Sequence, residues 1–223
     1  TVTFDFGIPG IAEHTLPLKT AADAVALRNH LLARFEEAAL TGVVAPGALD
    51  VVVCGGGPTG VEMAGGLAEL YQRVFAKDYP GLDVGAARIT LVEAVDRVLG
   101  TFHESLSDRA RRTLERRGID VLTSAPVAWI EPGAVHLDGG RALHADTVVW
   151  AAGVHANPIA ELLGVELGRN GRIVVGPDLA VPGHPEVFAV GDIAVDPAAP
   201  LPQVAQPAIQ GGKHVARQIV RRL

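Results

Sequence analysis

Apolar residues follow two rhythms along this chain. Behind Thr20, the residues Ala24, Leu27, Leu31, Phe35 and Ala38 recur every three or four positions. That spacing turns one helical face toward a core and predicts a helix over 21–40. Thr20 stands three residues before Asp23, the arrangement of a capping box. Elsewhere the apolar residues run unbroken. Asp50–Cys54 and 87–94 (ARITLVEA) have continuous apolar centres, as strands covered on both faces of a parallel sheet require. IDVLT at 119–123 and the apolar run Thr147–Ala151 read as further strands.

Between these runs lie helices and loops. One helix is expected from the glycines after Cys54 to about Phe75, followed by a loop over 77–87. Another spans 104–117, with Glu104 and Asp108 early and Arg116 and Arg117 late, which suits its dipole. Gly118 stands where a C-terminal cap belongs. The first twenty residues, carrying Gly7, Pro9, Gly10 and Pro17, read as loop. TGVVAPGA at 41–48 reads as a crossing between domains. After residue 123 the texture changes to short strands divided by Pro-Gly and Asp-Gly-Gly, an antiparallel meander. A short strand at Arg172–Val175, VFAVGD at 187–192 and a helix from Gln206 to Leu223 complete the reading.

The most informative stretch is VVVCGGGPTGVEMAG at 51–65. It places Gly55-x-Gly57-x-x-Gly60 between a strand and a helix. Gly55 permits the tight turn, Gly57 lets backbone approach a pyrophosphate, and Gly60 lets helix and strand pack closely. Pro58 falls in the first helical turn, where its missing N–H costs nothing. The helix start then offers free N–H groups to an anion. Glu93 ends the next strand, 33 residues past Gly60, with the loop at 77–87 accounting for the long spacing. A carboxylate there accepts from ribose hydroxyls and repels a 2′-phosphate, favouring NAD(H) over NADP(H). Arg97 nearby pulls in the opposite direction. The fold class is thus α/β: a Rossmann-like NAD-binding domain over 46–152, built from a parallel sheet plus an antiparallel meander.

Composition narrows the function classes. The 223 residues are 48% hydrophobic, enough for a folded core. A net charge of −6 argues against a nucleic-acid partner, which needs a basic surface. Cys54 is the single cysteine, so no intrachain disulfide and no CxxC redox pair exist. A reducing, cytoplasmic compartment is expected. The opening residues lack the pattern of a signal peptide, and no run approaches the roughly 20 apolar residues of a membrane span. The histidines at 103, 136, 144, 155, 184 and 214 show no metal-ligand spacing, and no metal is expected. The basic tail KHVARQIVRRL reads either as a membrane contact or as an exposed helix face.

GGGPTGVEMAGGLAEL, LVEAVDRVL, TVVWAAGV, VFAVGD and AQPAIQGGKHVARQI occur here in one order. Together they resemble the type II NADH dehydrogenases, the NADH:quinone oxidoreductases of the pyridine nucleotide-disulfide oxidoreductase superfamily. The opening GIPGIAEHTLPLKTAADAVALRNHLL resembles the segment leading from flavin domain to NAD domain in such enzymes. The resemblance implies that 1–45 and 153–223 are a connecting helix and parts of an FAD-binding domain. It further implies a chain lacking the N-terminal FAD fingerprint and the C-terminal membrane anchor of the family. A peripheral membrane location on the cytoplasmic face and a possible homodimer are expected only of the longer parent.

The same resemblance assigns roles to residues. Asp192 would hydrogen-bond FAD with Gly191 allowing close approach, and Ala205 would lie beside it; a turn-capping aspartate is the alternative. Gln206 and Gln210, four apart on one helical face, would meet the quinone; two solvated glutamines are the alternative. Glu62 would lie near the nicotinamide, or simply pair with the helix dipole. Thr59 and Gly153 would contact the dinucleotide or flavin. Without a cysteine pair, electrons would pass from NADH to FAD and directly to a quinone. The competing readings are a flavoprotein reductase serving a ferredoxin, rubredoxin or nitrite reductase, and a non-catalytic NAD-binding module.

Overall fold

The computed structural model describes residues 1–222, and these divide into two compact units. The larger, Asp5–Gly153, is organised by a five-stranded, all-parallel sheet. Its strands are β1 (Leu16–Pro17), β2 (Val51–Cys54), β3 (Ile89–Val92), β4 (Ile119–Leu122) and β8 (Thr147–Trp150), in the order β1-β8-β2-β3-β4. Val51 lies opposite Ile89 on one side and Thr147 on the other, and Ile89 lies opposite Ile119.

Alternation along these continuous apolar strands sends successive residues to opposite faces. Val51, Val53, Leu91 and Val149 join one buried cluster with helices α1 (Ala21–Thr41), α2 (Pro58–Leu70) and α3 (Glu104–Arg116). Val52, Cys54, Val92, Val148 and Trp150 join a second cluster with the antiparallel meander β5 (Val127–Glu131), β6 (Ala134–Leu137) and β7 (Ala142–His144). The three inner strands are therefore covered on both sides and buried along their whole length, whereas the edge strand β4 alternates, with Asp120 exposed. Asp50 ties two strand starts together. Its carboxylate accepts from the Arg88 N–H at 2.8 Å and from the Arg88 guanidinium at 2.9 Å.

Helix α1 opens on the expected capping box: Thr20 accepts from the Asp23 N–H, and the Asp23 carboxylate accepts from the Thr20 N–H. Its apolar face buries Leu27, Leu31, Phe35 and Ala38. Phe35, fully buried, sits 4.1 Å from Phe75 and 5.1 Å from Tyr71, centroid to centroid. These two aromatics belong to a π-helical turn, Tyr71–Phe75, that continues α2. The compact unit begins at Asp5, and the helix α1 supplies part of its core.

The first twenty residues are not simply loop. Ile11–His14 form a helical turn with Ile11 buried under the meander, and Leu16–Pro17 add the parallel edge strand β1 beside β8. Pro17 is compatible with that place because an edge strand leaves one row of N–H groups without ladder duty.

The smaller unit comprises Thr1–Phe4 and residues from Val154 onward. It contains short strand pairs: Val2–Thr3 with Val154–His155, β9 (Ile173–Val174) parallel to β10 (Ala194–Val195), and Ala180–Val181 with His184–Phe188. Helix α4 (Ala205–Arg222) ends it; the expected extension to Leu223 lies outside the described residues. VFAVGD closes the strand at Phe188 and then enters a short 3-10 turn, Gly191–Ile193. Among the described residues no helix is long and apolar enough to cross a membrane.

Candidate functional site

The glycine turn leaves the sheet where β2 ends, and each of its glycines answers a different demand. Gly55 holds φ at +114, in the left-handed region, and a Cβ there would lie 2.7 Å from the Ala152 nitrogen. A Cβ on Gly60 would run into the Gly55 carbonyl oxygen. Gly57 is different. Its φ is −71, and a Cβ on it would meet nothing within 4 Å. The fold therefore needs Gly55 and Gly60 for its own packing, whereas the absent side chain of Gly57 leaves room outside the protein's own packing. Pro58 stands at the first helical position of α2, so the helix start is bared toward that space.

Glu93 reaches this turn from the end of β3. Its Oε2 accepts from the Gly56 N–H, and its Oε1 accepts from the Val95 N–H at 3.0 Å. The residue expected to accept from a ribose is thus also a strut of the glycine loop. A carboxylate has about four lone-pair sites, so two backbone bonds leave capacity for hydroxyl donors. Arg97 bonds within its own loop: its Nη2 donates to the Gly100 carbonyl at 2.9 Å.

Thr59 and Glu62 are exposed on the first turns of α2. With Leu27, Leu31, Met63 and Leu70 they line an apolar groove of about 560 Å³ between α1 and α2. Gly153, at φ +68, is the last residue of this unit. Cys54, fully buried just before the turn, has its thiol pushed up to about 12 by burial alone. It is a packing residue with no thiolate chemistry near neutral pH.

The remaining candidates gather in the smaller unit. Gly191 takes φ +74, with Asp192 following it in the 3-10 turn. The Asp192 carbonyl accepts from Gln203 Nε2 at 3.0 Å. Burial depresses the Arg172 guanidinium, and the Asp192 charge opposes that shift. Ala205, Gln206 and Gln210 are exposed on the first turns of α4, the two glutamines on one face, and Pro207 falls within the first turn. The sites thus form two groups. Gly55, Gly57, Pro58, Thr59, Gly60, Glu62, Glu93 and Gly153 lie in the larger unit, and Gly191, Asp192, Ala205, Gln206 and Gln210 in the smaller.

Several supporting residues escaped the sequence reading. Gln203 is one. Gly56, Leu99 and Ser107 are others: the Leu99 N–H donates to the Gly56 carbonyl at 2.7 Å, and buried Ser107 donates to the Val98 carbonyl. Ser107 left a trace, since it precedes Ala110 and Leu114 on the inward stripe of α3, a polar residue on an apolar face. The Leu99 bond left none, because a backbone N–H is common to nearly every residue.

Comparison with known proteins shows the family and the fold. Residues 2–212 match the family model of the pyridine nucleotide-disulphide oxidoreductases. The chain is 37% identical over 96% of its length to a type II NADH:quinone oxidoreductase of Mycobacterium tuberculosis, of which it covers 47%. It is 36% identical over 99% of its length to the type II NADH:quinone oxidoreductase of Staphylococcus aureus, covering 56% of that protein. The chain therefore spans about half the length of these relatives. Among solved structures, it resembles NDH2 from Plasmodium falciparum in complex with NADH, with a TM-score of 0.75 and 24% identity over 86% of this chain and 42% of the other.

Proposed function

The chain belongs to the pyridine nucleotide-disulphide oxidoreductase family, and from that premise we propose that it is the NADH-binding portion of a flavin-dependent NADH:quinone oxidoreductase. The observation that carries the reading is the turn at Gly57: an open approach in front of a helix start, held by packing that only glycine permits at Gly55 and Gly60. A diphosphate is the ligand suited to such a place, because bared N–H groups and the positive end of the helix dipole both favour an anion.

In this reading, the Gly57 backbone and the start of α2 at Pro58 and Thr59 bind the NADH pyrophosphate. Glu93 accepts from a ribose hydroxyl and disfavours a 2′-phosphate. Glu62, exposed beyond the turn, orients the nicotinamide end. FAD suits the smaller unit's residues: Gly191 brings backbone close at φ +74, Asp192 is half-buried beside it, and Ala205 opens an exposed helix start. When bound, it supplies the two-electron relay between nicotinamide and acceptor. Gln206 and Gln210 then present amides to quinone oxygens. Membrane association at the cytoplasmic face and a homodimer belong to the longer protein in the same proposal.

Crystals of the chain soaked with NADH test the site directly. The expected result is a pyrophosphate against Gly57 and the α2 start with a ribose on Glu93. A dinucleotide bound elsewhere overturns the assignment.

A further inference from the structure

The peptide joining Gly56 to Gly57 is held at its carbonyl, and the peptide before it at its N–H. The Gly56 carbonyl accepts from the Leu99 N–H, the Gly56 N–H, which belongs to the preceding peptide, donates to Glu93, and a Cβ on Gly56 would press on the Glu93 side chain and on Val98 beside it. Leu99 makes its bond from φ +51, a left-handed conformation that a non-glycine residue adopts at a cost. The preceding residue is fixed in turn, since buried Ser107 of α3 donates to the Val98 carbonyl. Among the described residues no peptide bond is cis, so the carbonyl of Gly56 and the N–H of Gly57 point in opposite directions. Anchoring that carbonyl on Leu99 therefore directs the Gly57 N–H to the other side.

This geometry has a chemical consequence. A peptide between two glycines has little steric resistance to rotation about its flanking bonds. Rotated by half a turn, it would present a carbonyl oxygen where the pyrophosphate requires a donor. We propose that Leu99 and Ser107 are positioning residues of the dinucleotide site, and that they lock the Gly56–Gly57 peptide with its N–H toward the anion. The inference rests on the nucleotide reading of the glycine turn. It adds that the donor orientation is set from the β3–α3 loop rather than by the glycines themselves.

The test uses position 99, where the lock and ordinary packing predict opposite orders. Leu99→Gly keeps the N–H and accepts a positive φ freely; Leu99→Ile keeps the apolar bulk but resists that φ. NADH binding roughly tenfold weaker in Leu99→Ile than in Leu99→Gly is the expected result. Equal affinities, or the reverse order, overturn the lock. Ser107→Ala provides a second variant, with melting temperature recorded alongside. Glycine-selective 15N spectra of the ligand-free proteins separate this inference from the nucleotide reading. A sharp Gly57 amide resonance in wild type and Leu99→Gly, broadened in Leu99→Ile and Ser107→Ala, supports the lock even if wild type binds no NADH. A Gly57 resonance indifferent to all three substitutions overturns it even if wild type binds well.

Discussion

At the scale of single residues, two glycines three positions apart have separable duties. Gly60→Ala places a methyl group on the Gly55 carbonyl, and an overpacked site of this kind costs about 1–3 kcal/mol. A lowered melting temperature in thermal unfolding is the expected outcome. Gly57→Ala meets no protein atom and suffers no strain at φ −71, so its melting temperature should stay at the wild-type value. Glu93 carries a different test. In Glu93→Gln the amide oxygen can still brace Gly56 while the bond from the Val95 N–H is lost, and the charge that repels a 2′-phosphate is gone. The ratio of NADPH to NADH affinity in competition titrations should rise roughly tenfold, the worth of one charge-assisted interaction. The place of Glu93 at a strand end was legible in the sequence; its bond to Gly56 was not, because the pattern of side chains does not encode which backbone groups a loop brings near.

At the scale of elements, legibility followed periodicity. Helix α1 and its cap could be read because an apolar stripe from Ala24 to Ala38 and a Thr–Asp pair are long, local signals. Strand β1 could not, since the two residues Leu16–Pro17 hold no period and gain their partner, β8, from the far end of the unit. Where α1 meets β8, His30 Nε2 lies 3.0 Å from the buried Thr147 hydroxyl. Burial, then the Arg34 charge, lowers the His30 pKa from 6.5, against the pull of Asp146. A folded-state pKa below the unfolded one means stability is fully present above about pH 6.5 and is lost as pH falls through the folded value. Urea unfolding of wild type and His30→Gln at pH 7.5 and 5.5 should show a smaller acid loss in the variant. Phe35→Ala should cost about 3–5 kcal/mol in the same assay, because the fully buried ring is the centre of the contact between α1 and the π-helical turn.

At the scale of the whole molecule, the chain is two units with different claims to independence. Asp5–Gly153 has a sheet covered on both faces and two buried clusters, whereas the smaller unit is built from strand pairs around one small cluster. The glycine-containing crossing after α1 is visible in the composition, but composition shows where a chain turns and not which core a helix joins; α1 packs its apolar face into the core of the larger unit. Residues 5–153 expressed alone should unfold cooperatively by circular dichroism and retain the dinucleotide affinity of the full chain.

The central claim is that the open face of the glycine turn binds a diphosphate, and equilibrium titration of the 223-residue chain and its Gly57→Ala variant with NADH tests it most directly. Saturable, one-to-one binding in wild type, lost or weakened by at least roughly tenfold in a variant that melts at the same temperature, is the predicted result. Absence of saturable binding in wild type, or equal binding in the variant, contradicts the account.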